Sequence, residues 1–204
     1  MFKVQDRKFG AFSGPARHII GEFDGEIHLF DHAPRRNPLI NQHRLIYQPH
    51  FREGVKVVEI SPATPSESIY YDGKDPLAAA LLIITFGAGN VRDEPVYEGE
   101  MTHMDAITKL REEGIPVVLG SPMMDGRVDS PYATGAKAVS DAVGAISGGD
   151  TTGATLHVKA MFCLALAWDE ANNCVNQSKF REQMMKNHVG ELTMNFRSGK
   201  KGGA

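Results

Sequence analysis

The chain predicts an α/β fold, a Rossmann-like three-layer sandwich with a parallel sheet, preceded by a short hairpin segment. Three observations predict it. From about residue 54, short apolar runs alternate with stretches of helical periodicity. The runs, such as "LIITF" and "PVVLGS", are apolar throughout rather than at every second position. Several stop at Gly- or Pro-rich turns, "GAGN" and "SPATP" among them. Strands apolar on both faces suit a parallel sheet covered on both sides, whose ligands gather at the carboxyl ends of the strands.

Residues 1–53 have a different texture, rich in turns and in His, Arg and Pro. "HIIGEFDGEIHLF" alternates about Asp24-Gly25 and predicts a hairpin, because Asp-Gly supplies the positive-φ positions of a tight turn. "DHAPRRNPLINQH", broken by Pro34 and Pro38, predicts a loop. "VKVVEI" is a β-branched strand. "DPLAAALL" predicts a helix capped by Asp75 with Pro76 at its first position, and "LIITF" the strand after it. "EMTHMDAITKLREEGIP" sets Met101, Met104, Ile107 and Leu110 on one helical face and ends at Gly114 and Pro116. "PVVLGS" is a buried strand, and "ATGAKAVSDAVGAI" a helix leading to a short strand. A helix in "ATLHVKAMFCLALA" and a last one in "NQSKFREQMMKNHV", with Phe180 towards Met184, complete the order. The tail, 194–204, predicts a flexible end.

Composition excludes several classes. A net charge of -3 and a pI near 6.2 give no footprint for nucleic acid or an anionic membrane. The longest apolar run, "LAAALLIITF", falls short of the roughly 18 residues that span a bilayer, and "MFKVQDRKFG" has no apolar signal core. Cys163 and Cys174 form no CxxC pattern, so a reduced cytoplasmic compartment and two small core residues are expected. No cofactor is expected: "GAGN" lacks the third glycine of a dinucleotide fingerprint, and the acids of "VRDEP" follow where phosphate would bind. Its glycines still let backbone approach something closely, a ligand or a neighbouring subunit. No metal site is expected either. His28, Asp31 and His32 sit in or beside a predicted strand, where positions 28 and 32 lie about 13 Å apart.

"GGDTTGAT" admits two chemistries. A threonine nucleophile needs an adjacent base, whereas Asp150, Thr151 and Thr152 before an apolar helix suit its free N–H groups. Capping is the better reading of the residues.

"FGAGNVRDE", "REEGIPVVLGSPMMDGRV", "YATG" and "GGDTTGATLHVKAMFCLA", in this order, resemble the carboxyl-terminal domain of the bacterial-type L-asparaginase/glutaminase family. The cytoplasmic-type enzymes of that family read YGxGN, GIxVVxxxQ, YxTG and GGxDMTxEAxxxKL, and "GELT" after the last helix is also similar. "KVQDRKFGAFSGP" resembles the family segment KVDxxxFxAFxSP, which follows the catalytic lysine. The resemblance implies that residues 1–53 are the end of the amino-terminal domain and a linker, and that 54–193 form the carboxyl-terminal domain. It implies Lys3 as the catalytic lysine, and Asn90 and Arg92 as substrate-side residues, Arg92 standing where some relatives carry a second asparagine. Ile84 and Met123 replace the arginine and cysteine of the relatives' regulatory site.

The family's two essential threonines lie in TGGT and GTDT motifs, and neither motif occurs in these 204 residues. "GGDTT" then marks a helix start. The implied reaction is hydrolysis of asparagine, or of glutamine, at the side-chain amide. A lysine without its threonine and aspartate has no nucleophile to serve. The expectation is a chain weak or inactive alone: half of a split enzyme, a truncated product or a short-chain relative. Its expected partner is a chain carrying TGGT and GTDT, or further copies of itself. The alternative is a non-catalytic module that binds an amino acid near Asn90 or oligomerises. A third reading recruits Ser13, Tyr70, Tyr71 or Thr134 as nucleophile.

Overall fold

A computed structural model describes residues 2–3, 12–13, 21–23, 26–30, 50–123, 126–128, 133–188 and 191–192. The chain divides into two compact units, Met1–Pro49 and His50–Ala204. The first holds two antiparallel pairs. Strand β1 (Phe2–Lys3) pairs with β2 (Phe12–Ser13), which the sequence reading missed. Strands β3 (Gly21–Phe23) and β4 (Ile27–Leu29) form the hairpin predicted about Asp24-Gly25. The predicted loop around Pro34 and Pro38 and the tail 194–204 lie outside the described residues.

The second unit is a parallel sheet in the order β5-β6-β7-β8. Its strands are β5 (Val55–Glu59), β6 (Ala80–Ile84), β7 (Val117–Gly120) and β8 (Ile146–Ser147). Helices α1 (Ser66–Gly73), α2 (His103–Glu112) and α3 (Ala133–Ala138) fill the three crossovers. Right-handed crossovers that always step the same way put their helices on one face. That face buries Leu81, Ile83, Val117 and Leu119 against Ile69, Ile107 and Leu110. The other face, with Ala80, Leu82 and Val118, is covered by α4 (Gly153–Ala167) and α5 (Gln177–Met184). Three layers result, as the apolar strands predict. Edge strand β5 alternates in burial, and its Lys56 reaches Asp72 at 2.8 Å and Asp75 at 3.1 Å.

The helix predicted in "DPLAAALL" is corrected to a turn followed by β6. Asp75 Oδ1 accepts the Leu77 N–H at 2.9 Å and its carbonyl accepts the Ala78 N–H at 2.8 Å, so the aspartate closes a turn rather than capping a helix. Ala80–Ile84 is then needed between β5 and β7, and burial there overrides the helix preference of the alanines. The crossover helix is instead α1, where Gly73 admits Leu110: a Cβ on it would lie 2.6 Å from Leu110 Cδ1.

Helix α2 follows its sequence signals. Thr102 Oγ1 accepts the Asp105 N–H at 3.1 Å and Asp105 Oδ2 accepts the Thr102 N–H at 2.9 Å, a reciprocal capping box. Thr102→Ala is expected to cost about 1 kcal/mol, read from the urea midpoint at unchanged slope. After α4, β9 (Trp168–Asp169) and β10 (Cys174–Val175) form a hairpin with Asn173 at φ 49°. The hairpin leaves Cys174 exposed, so only Cys163 is the core residue expected of both.

Candidate functional site

Strand β6 ends in the turn Phe86–Asn90, closed by an Asn90 N–H to Phe86 carbonyl bond of 3.2 Å. Gly89 has φ +92°, and a Cβ on it would sit 2.8 Å from Val128 Cγ1. A Cβ on Gly135, in α3, would lie 3.3 Å from the Gly89 carbonyl oxygen. The close approach that the glycines permit is therefore to this chain's own Val128 and α3, at least on those sides. The choice between ligand and neighbouring subunit drawn from sequence omitted that third case.

The packing brings Asn90 to Thr134 of "YATG". Thr134 Oγ1 donates to Asn90 Oδ1 at 3.0 Å, and both residues are half-buried. The Asn90 side-chain N–H groups make no hydrogen bond among the described residues, so they remain available to a carboxylate or carbonyl oxygen.

Hydroxyls stitch the surrounding rim. Thr85 Oγ1 donates to the Gly120 carbonyl at 2.9 Å, and Ser121 Oγ to that of Gly87 at 2.8 Å. Ser147 Oγ donates to the Val128 carbonyl and accepts the Gly149 N–H at 3.0 Å. The reading of the sequence missed these three residues, though a signal was there: "IIT", "LGS" and "AIS" each put a hydroxyl at the end of an apolar run.

Arg92 is committed elsewhere. Its Nη2 lies 2.6 Å from Glu100 Oε1 and donates to Ser66 Oγ at 2.9 Å. The Val96 N–H, and after it Arg92, hold the Glu100 carboxyl below its usual range against the opposing effect of burial. The Arg92 N–H donates to His103 Nδ1 at 3.2 Å, so Nε2 carries the proton given to the Thr64 carbonyl at 2.8 Å. Burial lowers the pKa of that imidazole, favouring the neutral ring. The guanidinium thus ties the start of α1 to the 92–100 loop and the Arg92 main chain ties in the start of α2, whereas Asn90 has a free donor pair at the rim.

The stretch before α4 starts the helix, but its side chains do not cap it. Thr152 has N-cap backbone geometry, and its Oγ1 donates to Thr155 Oγ1 at 3.1 Å instead of accepting a backbone N–H. Thr151 is buried and donates to the Glu191 carbonyl at 3.1 Å. That expectation of side-chain capping is corrected: the hydroxyls bind one another and the segment after α5.

Lys3 belongs to the first unit, where its backbone pairs with Phe12. Ser13 lies in the partner strand. Tyr70 donates its hydroxyl to Glu113 Oε1 at 2.7 Å under the Lys109 ammonium, and Tyr71 is exposed. Burial pushes the Cys163 thiol up to about 12, which leaves no thiolate for chemistry near neutral pH. Among the described residues no group of His, Cys, Asp and Glu could hold a metal ion, and no helix is long and apolar enough to cross a membrane.

A three-layer α/β domain with an asparagine-bearing glycine turn at the carboxyl rim defines the class of the second unit. Residues 55–173 match the Glutaminase/Asparaginase C-terminal domain, and the chain belongs to that family. Three L-asparaginases are among the solved structures that share the fold. The thermostable L-asparaginase from Thermococcus kodakarensis aligns over 94% of this chain and 52% of its own, at 22% identity and a TM-score of 0.71. L-asparaginase I from Vibrio cholerae aligns over 70% of this chain and 38% of its own, at 24% identity and a TM-score of 0.55. A probable cytoplasmic L-asparaginase from Campylobacter jejuni aligns over 91% and 50%, at 16% identity and a TM-score of 0.55. The chain therefore spans about half the length of these proteins or less. No curated protein matches it.

Proposed function

We propose that this chain supplies the carboxyl-terminal half of an asparaginase-type amidohydrolase, acting on asparagine or glutamine in the cytoplasm. The observation that carries the reading is the Asn90–Thr134 pair at the rim, within the span matched to the family. The free Asn90 amide donors suit a substrate carboxylate or amide oxygen. The pair cannot supply the nucleophile, because Thr134 Oγ1 gives its proton to an amide oxygen, which is no base. The attacking threonine and its aspartate come from a TGGT- and GTDT-bearing segment, with Lys3 completing the proton path. Arg92 acts in this reading by fixing the loop that follows Asn90.

The purified chain is expected to release no ammonia from asparagine above background. Turnover is expected once an amino-terminal asparaginase domain carrying both motifs is added, and Asn90→Ala should raise KM in that mixture by about tenfold or more. Ammonia release by the chain alone at ordinary enzyme rates, abolished in Lys3→Ala, would overturn the need for the added segment. Calorimetric binding of asparagine or aspartate with no turnover in any mixture would favour the second reading, a non-catalytic binding module, which the same free Asn90 donors support.

A further inference from the structure

At the amino-terminal ends of β7 and β8, the sheet edge opposite Asn90, a cavity of about 240 Å³ opens between the end of α2, the 141–145 turn and the start of α5. It is smaller than the roughly 300–1,000 Å³ of pockets that take drug-sized ligands. Two arginines line it from different helices, Arg111 on α2 and Arg181 on α5.

Both guanidiniums are fastened to the same turn. Arg111 Nη1 donates to the Asp141 carbonyl at 2.8 Å, and Arg181 Nη1 donates to the carbonyls of Gly144 at 3.1 Å and Ala145 at 3.4 Å. Gly144, at φ +82°, lets the Arg111 stem lie against the turn: a Cβ there would meet Arg111 Cδ at 2.5 Å. Gln177 Nε2 donates to the Arg111 carbonyl at 2.9 Å, which joins α5 to the end of α2.

Among the described residues only one long, exposed ion pair opposes the charge of the two arginines. The carboxylate nearest Arg111 is that of Glu112, 4.0 Å away and largely exposed, and Arg181 has none within 4.0 Å among the described residues. Of the charged residues in the lining itself, two are arginines and one is an aspartate, Asp141, so the lining carries an excess of positive charge. The N–H groups of Gln177 and Ser178 open α5 and have no carbonyl to meet within the helix. The first turn of α5 holds no acidic residue, although the helix dipole favours one there.

We propose that this cavity binds a small oxyanion, a phosphate or carboxylate group, held by Arg111 and Arg181. One terminal nitrogen of each guanidinium is spent on the turn, which orients the plane and leaves its other N–H groups for a charge-assisted contact. The volume admits a single phosphate or a short dicarboxylate. The site stands apart from the amide chemistry proposed above and does not depend on it.

Calorimetry at low salt with inorganic phosphate, and separately with succinate, tests the assignment without any amide substrate. One of the two is expected to bind saturably with one site per chain, and which one identifies the source of the oxyanion. Arg181→Gln should weaken that binding by about tenfold or more, and Arg181→Lys, which keeps the charge and loses the fork, by less. Gly144→Ala, which displaces Arg111, should weaken it in a chain that keeps both arginines. Matched circular dichroism melts establish that each variant is folded. Saturation by neither anion, or binding that folded Arg181→Gln leaves unchanged, overturns the proposal.

Discussion

Glu191→Ala is expected to destabilise the second unit by about 3–5 kcal/mol, a large share of the roughly 5–15 kcal/mol that holds a typical domain. Lys159 lies within α4, whose other buried residues are apolar, and its side chain is 4% exposed. Its ammonium meets Glu191 Oε1 at 2.8 Å and donates to the Lys186 carbonyl at 2.7 Å. The Glu191 carboxylate also accepts the His188 N–H, both oxygens at 3.1 Å, while its main-chain carbonyl takes the Thr151 hydroxyl. Removing that carboxylate strands a buried cation with one neutral acceptor. The double variant Lys159→Met with Glu191→Leu removes both charges and should recover most of the loss, because desolvating the pair costs about what their attraction returns. Urea unfolding of wild type, single and double variants measures the effect. A single variant within 1 kcal/mol of wild type, on the order of an exposed pair, would show that the pair is hydrated.

Phe180→Ala should cost about 3–5 kcal/mol for a different reason, the emptying of a filled core. Phe180 is fully buried with Leu82, Val118, Leu156, Leu164 and Met184, where α4 and α5 cover the sheet. An alanine would leave a cavity that rigid strands on one side and α4 on the other can close only in part. Met184→Leu in the same cluster conserves volume and should cost less than about 1.5 kcal/mol. Equal midpoints for Phe180→Ala and Met184→Leu would mean that α5 is not docked as described.

What was legible in the sequence was local. The buried strands betrayed themselves by continuous apolar runs, and α2 by the spacing of Met101, Met104, Ile107 and Leu110 and by Gly114 at its end, whereas its capping box of Thr102 and Asp105 went unread. Helix α1 has no such signature, since its buried residues are Ser66, Ile69 and Gly73. Two of those three are chosen by neighbours, Arg92 on Ser66 and Leu110 on Gly73, that only the folded sheet supplies. The alanines of "LAAALL" misled for the converse reason: helix propensity is a local preference, and the space between two strands is not a local fact.

The site was legible to the same degree. The glycine turn marked only a place of close backbone approach, and the family resemblance alone singled out Asn90 as a candidate. Its partner Thr134, 44 positions onward, had been set among rival nucleophiles rather than beside it. The role of Arg92 could not be read from spacing. An arginine two residues past a glycine turn looks available to a substrate until Glu100 and Ser66 are seen to enclose it.

Lys56, clasped by two carboxylates on the outermost strand, has a bearing on how the domain behaves in a crowded solution. An unpaired strand margin invites a stranger's backbone to add to it, and a fixed charge there makes the invitation costly. Growth into fibrils by adding strands beside β5 is thereby discouraged.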